Sequence, residues 1–187
     1  MPTLSSDWIT ALSTYSSTRE KILEHRFIAD VTSELWRRGV FDFAVSHSEV
    51  DNSGYDVIIE AIGVTRHIQL KAMQIGGARR EFGLQLRLGD KQSGCVVLML
   101  HNPMTLTVEQ YRLFAGNPGE TLPPLGDRMV RHTKGDATGR KAERPALRNI
   151  ALTSFQPVSN VVELVDALFG KVPLPEPATL AASQQLG

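Results

Sequence analysis

The stretch GYDVIIEAIGVTRHIQLKA, residues 54–72, sets Asp56, Glu60, His67, Gln69 and Lys71 into two short runs that otherwise alternate apolar and polar residues. A carboxylate, an amide oxygen and an ammonium brought together suit one chemistry in particular. Hard oxygen donors hold Mg²⁺ or Mn²⁺ with several waters retained, and a neighbouring lysine would reach the same pocket. Alternation of period two predicts strands over 55–61 and 64–72, joined by a turn centred on Ile62 and Gly63. In antiparallel register Asp56 then stands opposite Gln69, with their Cβ atoms ~5 Å apart, and Lys71 lies one step along. Ile58, Glu60 and His67 share the polar side, while Val57, Ile59, Ile68 and Leu70 point to the other. Glu60 and His67 are expected to be ordinary solvent-face residues.

A third ionisable group comes from the preceding segment. Ser17 and Glu20 form a capping-box pattern ahead of Leu23, Phe27, Ile28, Val31 and Leu35, and Gly39 stops the run, which predicts a helix over about 18–38. Glu24 falls inside the apolar stripe, and an inward carboxylate needs a partner. A cation or its bound water, Lys71, His25 or Arg26 could supply it.

A helix with an inward Glu, a G-x-D strand (GYD, 54–56) and a Q-x-K strand (QLK, 69–71) together resemble the PD-(D/E)xK nuclease superfamily, in branches where Gln replaces the second acid. The resemblance spans roughly residues 18–100. It implies a restriction-endonuclease-like fold of the α/β class with an α+β-like core, in which helices flank a central mixed β-sheet. It implies a metal-dependent nuclease hydrolysing phosphodiester bonds, in DNA rather than RNA, with Glu24, Asp56, Gln69 and Lys71 as catalytic residues. Mg²⁺ or Mn²⁺ would be held by Asp56, Gln69 and the backbone carbonyl of Leu70. Glu24 would bind the metal or its hydration shell, and Lys71 would activate or position the attacking water. The resemblance also makes a homodimer a reasonable partner arrangement, although no heptad or apolar interface pattern accompanies it. Gln69 coordinates more weakly than Glu, so the alternative is a non-catalytic nucleic-acid- or protein-binding module on a decayed nuclease fold.

Other elements must frame these residues. SDWITALSTY predicts a helical extension over 1–16, FDFAVSHSEV a strand that opens a meander, and GCVVLML a strand covered on both faces. TVEQYRLF predicts a helix capped by Thr107, NIALTSF a strand, and Asn160 with Glu163 the capped start of a last helix. These elements form a single domain over 1–170, followed by a disordered tail over 171–187. Residues 116–149 are expected to be a basic surface segment carrying Arg128, Arg131, Lys134, Arg140, Lys141, Arg144 and Arg148. With Arg79 and Arg80 after the QLK strand, this segment supplies the expected nucleic-acid contacts, because twenty basic residues balance twenty acidic ones overall and any cationic site must be local. The single cysteine, Cys95, lies in an apolar run and is expected to be a buried hydrophobe. A reducing, cytoplasmic location and no membrane contact are expected, since neither a leader pattern nor an apolar span of ~20 residues occurs. No glycine-rich loop is followed by Lys-Ser/Thr, which argues against a nucleoside triphosphatase.

Overall fold

Leu23, Phe27, Val31 and Leu35 recur at helical spacing and are fully buried, so they fix one face of the longest helix on a sheet. In the computed structural model, which describes residues 5–48, 54–132 and 141–171, this helix is α2 (Ser16–Arg37), preceded by the short α1 (Ser6–Thr14). Its start lies just before the predicted one. Ser17 does not cap it, since Tyr15 occupies the cap position without a side-chain hydrogen bond. Strands β1 (Phe43–His47), β2 (Val57–Ala61) and β3 (Val64–Gln74) follow as the expected antiparallel meander. Then come β4 (Glu81–Gln85), the one-turn α3 (Leu86–Gly89), β5 (Gly94–His101), β6 (Val108–Ala115), β7 (Met129–Arg131), β8 (Glu143–Ala151), β9 (Gln156–Val158) and α4 (Val161–Phe169).

The fold is α+β. A mixed six-stranded sheet runs β1-β2-β3-β5-β6-β9, with β3 and β5 parallel, and a separate antiparallel sheet runs β4-β8-β7. All eight residues of β5 are buried, as a strand covered on both faces requires. Cys95, Val97 and Met99 join the core beneath α2 and α4, while Val96, Leu98 and Leu100 join a second core against the small sheet. The molecule is therefore layered as helices, sheet, sheet. Complete burial pushes the Cys95 thiol up to about 12, which leaves it protonated and inert at neutral pH.

The β2–β3 hairpin adopts the predicted register, with Val57 opposite Ile68 and Ile58 opposite His67. Both turn residues have positive φ, 56° at Ile62 and 72° at Gly63, the pattern of a two-residue primed turn whose twist matches the strands. A β-branched residue is poorly suited to that conformation. Ile62→Asn is expected to stabilise the protein by roughly 1 kcal/mol, seen as a melting temperature higher by about 2–4 °C.

Two further expectations fail. TVEQYRLF is strand β6 rather than a helix. The second edge of fully buried β5 needs a hydrogen-bonding partner, and β6 supplies it antiparallel, with Tyr111 and Leu113 entering one core and Phe114 the other. The turn that allows this is built by Asn102, whose side-chain oxygen accepts the Met104 and Thr105 N–H groups at 2.9 and 3.2 Å. The second failure is the 116–149 segment, which is not simply surface loop: it contributes β7 and the start of β8 to the small sheet. NIALTSF is the end of β8 followed by a 3-10 turn at Leu152–Ser154. The cap on α4 is as expected, with Asn160 Oδ1 accepting the Glu163 N–H at 3.0 Å. The tail beyond residue 171 lies outside the described residues.

Two buried cations hold α4 in place. Arg66, fully buried on the otherwise apolar side of β3, donates to the Leu168 and Ala167 carbonyls at 2.5 and 3.0 Å and to Gly116 O at 3.3 Å. It thereby satisfies the carbonyl end of α4. Arg38 closes the other end of the α2–α4 contact, donating to Glu34 Oε1 at 2.6 Å, to Val162 O at 2.7 Å and to Asp166.

Candidate active site

Strand β2 begins at Val57, but β3 continues to Gln74, so the second half of β3 has no β2 partner on that side. Asp56 sits where the two strands part. Its N–H donates to Ile68 O at 2.9 Å, and its carboxylate Oδ2 accepts the Leu70 N–H at 2.7 Å, taking over an amide that β2 no longer covers. The N–H and C=O of one strand residue point the same way, so the Leu70 carbonyl faces this open edge as well.

Gln69 and Lys71 pair in register with Val96 and Leu98 of β5, two residues of the core beneath the small sheet, so both side chains leave β3 on the small-sheet side. Gln69 is 6% exposed, and among the described residues no hydrogen-bond donor reaches its Oε1. A buried oxygen left without a donor costs ~1–3 kcal/mol, and it is the kind of acceptor that a hard cation satisfies. Asp56, Gln69, Leu70, Lys71 and Glu24 line one cleft of about 620 Å³ that wraps around the β3 edge. The residues singled out from sequence as a centre are therefore brought together.

Glu24 departs from expectation in its partners. It is buried, as its place in the apolar stripe required, but it is bound by Lys21 Nζ at 2.9 and 3.0 Å and approached by His47 Nδ1 of β1 at 3.3 Å. His25 is exposed, and Arg26 donates instead to Thr105 O. Sequence spacing could have pointed to Lys21, one helical turn before Glu24. His47 is brought in only by the β1–β2 pairing and had no local signal. Glu60 is exposed, and His67 packs on the Tyr55 ring, its Nδ1 3.2 Å from Gln92 O, so neither joins the centre.

The glycine of the GYD motif has a steric cause. Gly54 has φ +80°, and a Cβ there would stand 2.6 Å from Gln85 Cβ and 3.3 Å from the Leu88 nitrogen. The chain can thus press against β4 and α3 two residues before Asp56. Gly54→Ala is expected to destabilise the protein by about 1–3 kcal/mol, measurable by urea unfolding, and to displace Asp56 from Leu70.

The expected cationic contacts divide. Arg79 lines the cleft, together with Arg144 of β8. Arg80, Arg128, Arg131 and Lys141 are exposed but do not line it: Arg128 pairs with Glu81, and Arg131 approaches Glu143 at 3.7 Å. The reason is that β4 and β8 supply their own acidic partners, which divert these arginines from the site. Lys134 and Arg140 lie outside the described residues.

Among the described residues no group of three His, Cys, Asp or Glu side chains is placed to hold a metal. A cation at this edge would rest on Asp56, the Gln69 amide, the Leu70 carbonyl and water. No protein-family model matches the chain, and no curated protein sequence matches it. Among the described residues no helix is long and apolar enough to cross a membrane.

Proposed function

We propose that the protein is a divalent-cation-dependent hydrolase of phosphodiester bonds in nucleic acid, DNA in the first place, on a restriction-endonuclease-like core of the PD-(D/E)xK kind. The observation that carries this reading is the unsatisfied Gln69 Oε1 in the cleft that Asp56 also lines, at the uncovered edge of β3. These donors, with the Leu70 carbonyl, fit Mg²⁺ or Mn²⁺: they are hard, oxygen-only and few enough to leave water in the shell. A bound cation of this type supplies charge stabilisation to a pentacovalent phosphorus and makes water more acidic.

The chain's own residues carry the remaining work. Asp56 is oriented by the Leu70 N–H. Lys71, on the same face as Gln69, orients the attacking water by hydrogen bonding and offsets charge on the phosphate oxygens. Glu24, held by Lys21 and His47, presents a carboxylate from the helix side of the same cleft. That pairing also favours a second reading, a nucleic-acid-binding module without turnover, since a carboxylate already bound to an ammonium is less available. Incubation with Mn²⁺ or Mg²⁺ and a panel of single-stranded, duplex and branched DNA separates the two. Metal-dependent shortening of the DNA is expected. Salt-sensitive binding with no shortening in either metal would select the binding module.

A further inference from the structure

The cleft lies against the first turns of α2; past the other end of that helix a second groove, of about 570 Å³, opens between the α2–β1 connection and the β2–β3 turn. Val40, Phe41 and Phe43 line one side of it, and Ala61, Ile62 and Gly63 the other. The Phe41 ring meets Trp36 edge-on with centroids 4.6 Å apart, yet both residues are 63% exposed. Two large aromatic side chains held against each other and left open to solvent are the mark of a binding surface. The acidic members of the groove, Asp42 and Glu60, are exposed as well.

Where α4 ends points to the occupant. Arg38, next to the groove residue Gly39, donates to Asp166 and to Val162 O of α4. Arg66, three residues past Gly63, donates to the Ala167 and Leu168 carbonyls. The last turns of α4 are thus tied to chain on both sides of the groove, and residues 172–187 follow directly. They open with VPLPEP, 172–177. Alternate prolines favour the polyproline II helix, which has three residues per turn and rises ~3.1 Å per residue, so this stretch would span ~19 Å. On such a helix Val172 and Pro175 would share one face, Leu174 and Pro177 a second, and Pro173 and Glu176 the third. Two adjoining faces are apolar, and Glu176 is free to turn away from Asp42 and Glu60. A groove lined by aromatic residues is the surface that takes this helix, because the helix is already extended and loses little entropy on docking.

We propose that residues 172–177 dock in the Trp36–Phe41 groove of their own chain as a polyproline II helix. The short tether to α4 gives the segment an effective concentration on the order of millimolar at the groove, so docking does not depend on how concentrated the protein is. The docking is independent of the chemistry at the β3 edge.

Acrylamide quenching of tryptophan fluorescence in the full chain tests this. Trp8→Phe leaves Trp36 as the only tryptophan. Leu174→Ser, Pro175→Ser and Pro177→Ser together should then raise the Trp36 quenching constant by about twofold or more, as the ring regains its open exposure. Without those three changes the constant should stay the same over a wide dilution series. The matching Trp36→Phe chain reports Trp8 of α1, which precedes the opposite end of α2, and its quenching should not respond to the serine substitutions. Unchanged Trp36 quenching on substitution would overturn the docking, as would an equal change at both tryptophans. Protection of Trp36 that fades on dilution would give the groove to a second copy of the chain and overturn it too.

Discussion

Asp56→Asn and Lys71→Ala are each expected to reduce the proposed metal-dependent cleavage by about 10³-fold or more while leaving the fold intact, since each would remove a group that acts on the charge developing at phosphorus. The two replacements should fail for different reasons. Asn at 56 keeps an oxygen to accept the Leu70 N–H, so the backbone geometry at the strand divergence survives, but the one negative charge in the expected donor set of Asp56, Gln69 and the Leu70 carbonyl is gone. Higher Mn²⁺ should therefore recover part of the activity. Lys71→Ala leaves those donors in place and removes the ammonium beside them, so added metal should recover nothing. Steady-state cleavage of one labelled strand across a Mn²⁺ series, with circular dichroism to confirm folding, reads both. Wild-type rates in either variant would remove that residue from the centre.

The largest effect on stability is expected at Glu34. It is 5% exposed and receives Arg38 Nε at 2.6 Å and Arg37 at 2.7 Å from two nitrogens, while Arg38 is itself buried and reaches across to α4. Removing one partner of a buried pair leaves the other charge inadequately compensated, at a cost of about 3–5 kcal/mol. Glu34→Ala should lose that much in urea unfolding at pH 7, and Glu34→Gln, which keeps one acceptor, should lose less. The Arg37 and Arg38 guanidiniums hold the Glu34 carboxyl below its ordinary 4.5 against the opposing effect of burial. A depressed carboxyl contributes stability that is fully present above the unfolded value and is lost as pH falls through the folded one. The gap between wild type and Glu34→Gln should thus be widest near neutrality and narrow progressively below about pH 4.5. A gap that did not change with acidification would mean that Arg38 is held by α4 alone.

How far these sites were legible depends on whether the signal was local. Residues 55–72 carry their own register, because an Ile-Gly turn and strict alternation leave one pairing that buries Val57, Ile59 and Ile68 together. The apolar run of β5 and the Asn160 cap were readable for the same reason. Strand β6 was not, because VEQYRLFA satisfies helical and strand spacing equally and the choice was made by the bare edge of β5. The Asn102-Pro103 pair was a turn signal that could have tipped it. Arg66 stands between Val64 and Ile68 on the apolar side of β3, and its burial makes sense only once the α4 carbonyls arrive from a hundred residues away. Glu24 was read correctly as inward, but His47 reached it through sheet pairing rather than spacing. The basic segment was recognisable as a charge cluster. Which of its members would face the cleft depended on the pairing of β8 with β4 and β7.

We propose that Asp56, Gln69 Oε1 and the Leu70 carbonyl form the oxygen cradle of a divalent cation. Anomalous X-ray scattering from crystals of the chain grown with Mn²⁺ tests this most directly. The expected result is a peak within coordination distance of Asp56 and Gln69 Oε1 at the open edge of β3, absent in Asp56→Asn. Manganese bound elsewhere with this edge empty, or a peak that survives Asp56→Asn unchanged, would rule this cation site out.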